Sequence, residues 1–248
     1  MTKADHYREV LKTCADWDAY LMQESGLPGP RGNLELAHVV ANVATAAQID
    51  HWLTFEASRA PVNSPKEFLA FCGVEGLGRL IVEGQIERWP TLRACASDPR
   101  WRTREGVAMA LQRIGEADMD NLLSHLEPWL AGNWLEQRAV AAALAEPRLL
   151  REAAQIDRAL SYLDRITASI AAATDRRAED YRVLRQGLGY GWSVIVVARP
   201  TSGKRLMERW LKSDDQDVQW VMRENLKKKR LQMMDAAWVE KWQAKLSK

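Results

Sequence analysis

The pattern Asp-x-x-Trp-x-x-Arg-Glu occurs twice in the chain, as Asp98 to Glu105 and as Asp217 to Glu224. A related segment, Asn133-Trp134-Leu135-Glu136-Gln137-Arg138, lies between them. Six residues beyond each tryptophan stands an aliphatic side chain: Val107, Val140 and Leu226. Trp101 and Trp134 are 33 residues apart, the length of one helix pair, whereas the interval to Trp220 is wider and less regular. A unit this short cannot bury its own apolar stripe, so neighbouring units must stack and share a core. The expected fold is therefore all-α: an α-solenoid of stacked antiparallel helix pairs forming a single domain over residues 1–248. The more regular repeats are expected within 65–146 and 201–246.

Local signals agree with helix. Alanine and leucine abound and runs of Val, Ile and Thr are rare. The spacing predicts one amphipathic helix over 4–24, closed by the loop Gly26 to Gly32, with Asn33 capping the next helix. Ser64-Pro65-Lys66-Glu67 reads as a capping box with proline at the first helical position, and Asp98-Pro99 repeats that start signal. Gly132-Asn133 marks another boundary, and residues 147–173 read as the longest helix. Gly187, Gly189, Gly191 and Pro200 are expected to break the chain around them into short pieces. Ser193 to Val197, with Gly203-Lys204 after it, imitates a strand and phosphate loop. Ala198 and Arg205 stand where such a loop needs glycine and a hydroxyl, so a short buried helix with Gly203 in a turn is expected instead.

Composition narrows the functional classes. Hydrophobic residues make up 47% and charged residues 27%, which excludes a disordered chain. No stretch approaches the roughly 18 consecutive apolar residues of a membrane span, and the first dozen residues show no signal peptide. Cys14, Cys72 and Cys95 are odd in number and widely separated, and the four histidines are scattered. A reduced, cytoplasmic protein without metal or cofactor is expected, acting as a monomer. The net charge of +2 hides an asymmetry: residues 199–248 carry 13 Lys/Arg against 7 Asp/Glu, a net +6, which leaves −4 for the rest. A basic end on a near-neutral chain points to a polyanionic partner.

Helical phase separates core from surface. With each tryptophan at 0° and about 100° per residue, Val107, Leu111, Ile114, Val140 and Leu144 cluster between about 220° and 280°. Trp101 with Glu105, and Trp134 with Arg138, lie on the shoulder of that stripe. In the last copy Val218, Met222 and Leu226 define the core, whereas Trp220, Arg223 and Lys227 face away, with Lys228 and Arg230 extending the charge. Indoles flanked by cations suit a groove that grips phosphate and stacks a base. They equally suit amphipathic rings that cover repeat junctions beside solvated lysines.

The turn aspartate paired with a helix arginine, Asp98/Arg104 and Asp217/Arg223, resembles the HEAT repeat, in which such residues form a hydrogen-bonded ladder. The loop at 26–32 and the run Arg223 to Arg230 are similar to bacterial HEAT-repeat proteins without assigned activity. More distantly, Trp101, Glu105, Arg138, Trp220 and Arg223 resemble the alkylpurine DNA glycosylases built on HEAT-like repeats. That likeness implies tryptophans packing on a damaged nucleotide, arginines on phosphates, and Glu105 stabilising the cationic sugar in a position where that family carries aspartate. The leading expectation is a non-catalytic module binding a macromolecule, protein or nucleic acid, through Trp101, Trp134, Arg138, Trp220, Arg223, Lys227 and Arg230. The alternative is a repair glycosylase with Glu105 as its catalytic carboxylate.

Overall fold

The computed structural model describes residues 2–246, which form fifteen α-helices joined by turns and short 3-10 segments, with no strand among them. The chain is all-α, as its repeats and propensities imply. It divides into two compact units, Met1–Ile114 and Gly115–Lys248.

The first unit contains α1 (Lys3–Thr13), α2 (Trp17–Glu24), α3 (Leu34–Val43), α4 (Ala46–Leu53), α5 (Pro65–Val82), α6 (Trp89–Cys95) and most of α7 (Trp101–Ala117). The single helix expected over 4–24 is two. Cys14 turns extended, and the Asp16 carboxylate caps a new helix by accepting from the Ala19 amide at 3.0 Å. A local cap here outcompetes continuous amphipathic spacing. Asn33 caps α3 as expected. Ser64 caps α5 with Pro65 at the first position, but the box is only half closed: the Glu67 carboxylate accepts from the Asn63 amide at 2.6 Å instead of returning to Ser64. Helix α5 is buried on nearly every side, beneath α2, α3, α4 and α6. At Gly78 it meets α7 so closely that a Cβ would lie 2.7 Å from the Ala110 backbone.

The second unit contains α8 (Met119–Leu126), α9 (Trp134–Leu144), α10 (Ala153–Ala171), α11 (Glu179–Ala198), α12 (Pro200–Leu211), α13 (Gln216–Leu226), α14 (Lys229–Met234) and α15 (Ala236–Leu246). Residues 147–173 are not one helix: Pro147–Leu149 forms a 3-10 turn and α10 begins only at Ala153. The longest helix is α11, which runs unbroken through Gly187, Gly189 and Gly191. Each internal glycine costs about 1 kcal/mol of helix propensity, and at Gly189 the close approach of α13 offsets it. Gly203 likewise sits inside α12, where a Cβ would lie 2.8 Å from the Val196 backbone.

Packing in this unit obeys a simple order. Helices α8, α10 and α12 touch successively, as do α9, α11, α13 and α15, and α10–α11, α11–α12 and α12–α13 join the two series. The apolar phases read from the repeats hold: Val107, Leu111, Val140, Leu144, Val218, Met222 and Leu226 are all fully buried. Among the described residues no helix is long and apolar enough to cross a membrane.

Candidate functional site

Three helices of the second unit run side by side in the same direction. Trp134 at the start of α9 meets Tyr181 at the start of α11, and further along Arg138 reaches Gly187 and Ala141 reaches Gly191. On the other flank Tyr181 meets Asp217, Gly189 meets Trp220, and Ser193 meets Asn225 of α13. This parallel register aligns the tryptophan-bearing ends of α9 and α13 on either side of α11.

The face begins in a polar cluster. The carboxylate of Asp217 accepts from the Tyr181 hydroxyl at 2.7 Å and pairs with Arg185 at 2.8 Å and Arg176 at 3.2 Å. Asp215, not the repeat aspartate Asp217, caps α13, accepting from the amides of Asp217 and Val218 and from Arg176 at 2.6 Å. Burial alone would raise the Asp215 carboxyl, but Arg176 and the two cap amides outweigh it and hold it below the ordinary range. The Tyr181 phenol is pushed well above its usual value, first by burial and then by its bond to Asp217. Its ring also meets Trp134 edge to face, 5.6 Å between centroids. The cluster is therefore a rigid ionic brace across the helix starts.

Above the brace lie the cations and rings. The Arg185 guanidinium stacks on the Trp220 indole at 4.0 Å and lies 2.8 Å from the Asp217 carboxylate. Trp220 rests against α11 at Gly189, where a Cβ would lie 3.3 Å from the ring. One face of Trp220 thus carries an arginine, where the sequence suggested a platform for a base. Arg223, on the exposed side of α13, donates to Gln219 at 2.7 Å. It does not bond turn backbone as Arg104 does, whose guanidinium donates to the Asp98 and Pro99 carbonyls at 2.6 and 3.0 Å. Lys227 pairs with Glu224, and Arg230 stacks on Tyr190 at 4.7 Å while donating to its hydroxyl.

Trp134, Arg138, Trp220, Arg223, Lys227 and Arg230 all belong to this second unit, whereas Trp101 and Glu105 belong to the first. Trp101 is 48% exposed at the start of α7, with the Arg102 guanidinium over its ring at 4.5 Å. That arginine is itself buried, paired with Glu67 at 3.2 Å and bonded to the Gly29 carbonyl at 2.7 Å. Glu105 is half-buried one turn further along.

Sequence reasoning missed Arg176, Tyr181, Arg185 and Tyr190. Part of their signal existed: Tyr181 and Arg185, four residues apart, share a helical face once a helix is read through 179–198. No protein-family model, no curated protein and no solved structure matches the chain.

Proposed function

We propose that the chain is a helical-repeat binding module of the HEAT kind, and that its second unit engages a nucleic-acid backbone through α9, α11 and α13. The successive contacts within α8–α10–α12 and within α9–α11–α13–α15 support a solenoid-like stack in that unit, because each helix meets mainly its neighbours. The observation that carries the functional reading is the parallel register of α9, α11 and α13, which assembles Trp134, Arg138, Arg185 and Trp220 on adjoining helices. Arg223, Lys228, Lys229 and Arg230 add cations that have no carboxylate partner among the described residues. The guanidinium groups of Arg223 and Arg230, held by Gln219 and Tyr190, favour phosphate, and aromatic groups beside them favour a nucleic acid over a simple anion.

Fluorescence anisotropy with short DNA and RNA probes at several salt concentrations tests this. Each phosphate contact should contribute about −0.9 to the slope of log affinity against log salt on duplex DNA. Arg223→Ala with Arg230→Ala should flatten that slope. No binding at low salt would overturn the proposal. Release of free base from alkylated duplex, lost in Glu105→Gln, would establish the excision reading in its place.

A further inference from the structure

At the far end of α11 from the ionic brace, an apolar cleft of about 430 Å³ lies between that helix and the turn after α9. Pro147 and Leu150 form one wall, Val194, Val197 and Ala198 the other, and Arg230 stands at its edge. The volume falls within the ~300–1,000 Å³ typical of sites that enclose a small molecule. Tyr190, one turn before Val194 on α11, is 43% exposed, and Arg230 is held against it by stacking and by a hydrogen bond to the phenol. Arg230 has no carboxylate partner among the described residues, nor do the neighbouring Lys228 and Lys229.

An apolar slot beside a fixed, uncompensated arginine selects a ligand that is flat and apolar on one side and anionic on the other. An unpaired nucleotide has that form: a base with π faces, and a phosphate one sugar away. A paired base cannot enter, since its faces are covered by the stack and its edge by its partner. We propose that this cleft receives one unstacked base of a single strand, with Arg230 on the adjoining phosphate. The protein then prefers single-stranded or unpaired nucleic acid to duplex. This rests on the nucleic-acid reading of the α9–α11–α13 face, which supplies the backbone track leading to the cleft.

Anisotropy titrations of a labelled oligothymidylate and a labelled blunt-ended duplex separate the two claims. Val197→Glu, which places a carboxylate in the slot, should weaken single-strand binding about tenfold and leave the duplex within about twofold. Tyr190→Ala, at an exposed position that tolerates truncation, should act in the same direction. A fluorescent purine analogue in the strand should change emission on binding to the wild type and not to Val197→Glu. Equal affinity for both probes, or equal losses on both, overturns the cleft assignment while leaving the face reading intact. Failure of both probes to bind at low salt removes both. Binding of an acidic peptide, but of neither probe, assigns the cleft to a protein side chain and overturns the proposal.

Discussion

Trp220 leans on Gly189: a methyl group at that glycine would lie 3.3 Å from the indole and 3.2 Å from the Glu224 Cβ. Two residues earlier, Gly187 has only the Arg138 side chain near it, at 3.6 Å. The two glycines therefore differ in role although they share a helix. Gly187→Ala should stabilise the protein by roughly 0.5–1 kcal/mol through reduced backbone entropy. Gly189→Ala should destabilise it by about 1 kcal/mol, because α13 must shift outward. Urea unfolding of both variants measures the signs, and like signs would contradict the close approach.

Asn225 is fully buried and clamps α11 to α13. Its amide donates to the Leu188 carbonyl at 2.8 Å, and its oxygen accepts from the Ser193 amide at 2.8 Å. Asn225→Leu keeps the volume and leaves two buried backbone groups to find new partners. At about 1–3 kcal/mol per unsatisfied group, a loss of about 3 kcal/mol is expected, seen as a fall of several degrees in Tm.

Helix α7 begins at Trp101, not at Pro99 as the Asp98-Pro99 signal suggested, and Asp98 instead anchors a buried arginine. Its carboxylate accepts from the Arg100 amide and binds the Arg100 guanidinium, which is 2% exposed and also donates to the carbonyls of Phe55 and Ala60. Loss of a cap alone costs about 1 kcal/mol. Asp98→Ala should cost about 3–5 kcal/mol, since it strands a buried cation. Asp120→Ala, which breaks an exposed pair with Arg158 and an exposed hydrogen bond from Gln155, should cost well under 1 kcal/mol. Urea unfolding of the two variants side by side checks the contrast.

The ionic brace implies a dependence on acid. The Asp215 carboxyl is held below its ordinary range, so the stability it contributes is complete above about pH 4 and is lost as pH falls through the folded value. Asp215→Asn should therefore weaken the protein at neutral pH, and its deficit should shrink below about pH 4. Urea midpoints measured at both pH values check the sign; a deficit that is constant with pH would contradict it.

Arg185 and Trp220 should act as one element in binding, because the guanidinium stacks on the indole. Trp220→Ala and Arg185→Ala should each weaken nucleic-acid binding, and the double variant should lose little more than either alone. A double-mutant cycle by anisotropy measures the coupling, and strict additivity would show the two groups to be independent.

Helix content, several helix starts and the inward phases were legible from residues one to four positions apart. Asn33, Ser64 and the apolar set from Val107 to Leu226 needed only local capping and periodicity. The split at Cys14 to Asp16 was legible too, had the aspartate cap been weighed above the apolar spacing. The candidate site was half visible: Trp134, Arg138, Trp220 and Arg223 stood out by repetition, whereas Tyr181, Arg185 and Tyr190 lay in a stretch whose glycines argued against any long helix. Glycine's cost is a local property, but what offsets it is the approach of α13, more than thirty residues away. The same distance hid the partners of Asp217, which the repeat pattern paired with Arg223 and the fold pairs with Arg176, Tyr181 and Arg185. Short-range order arises from hydrogen bonding and amphipathic phase along one helix. Which arginine lies on which indole depends on the register between helices, and that register is set by side chains that meet only after the chain has folded.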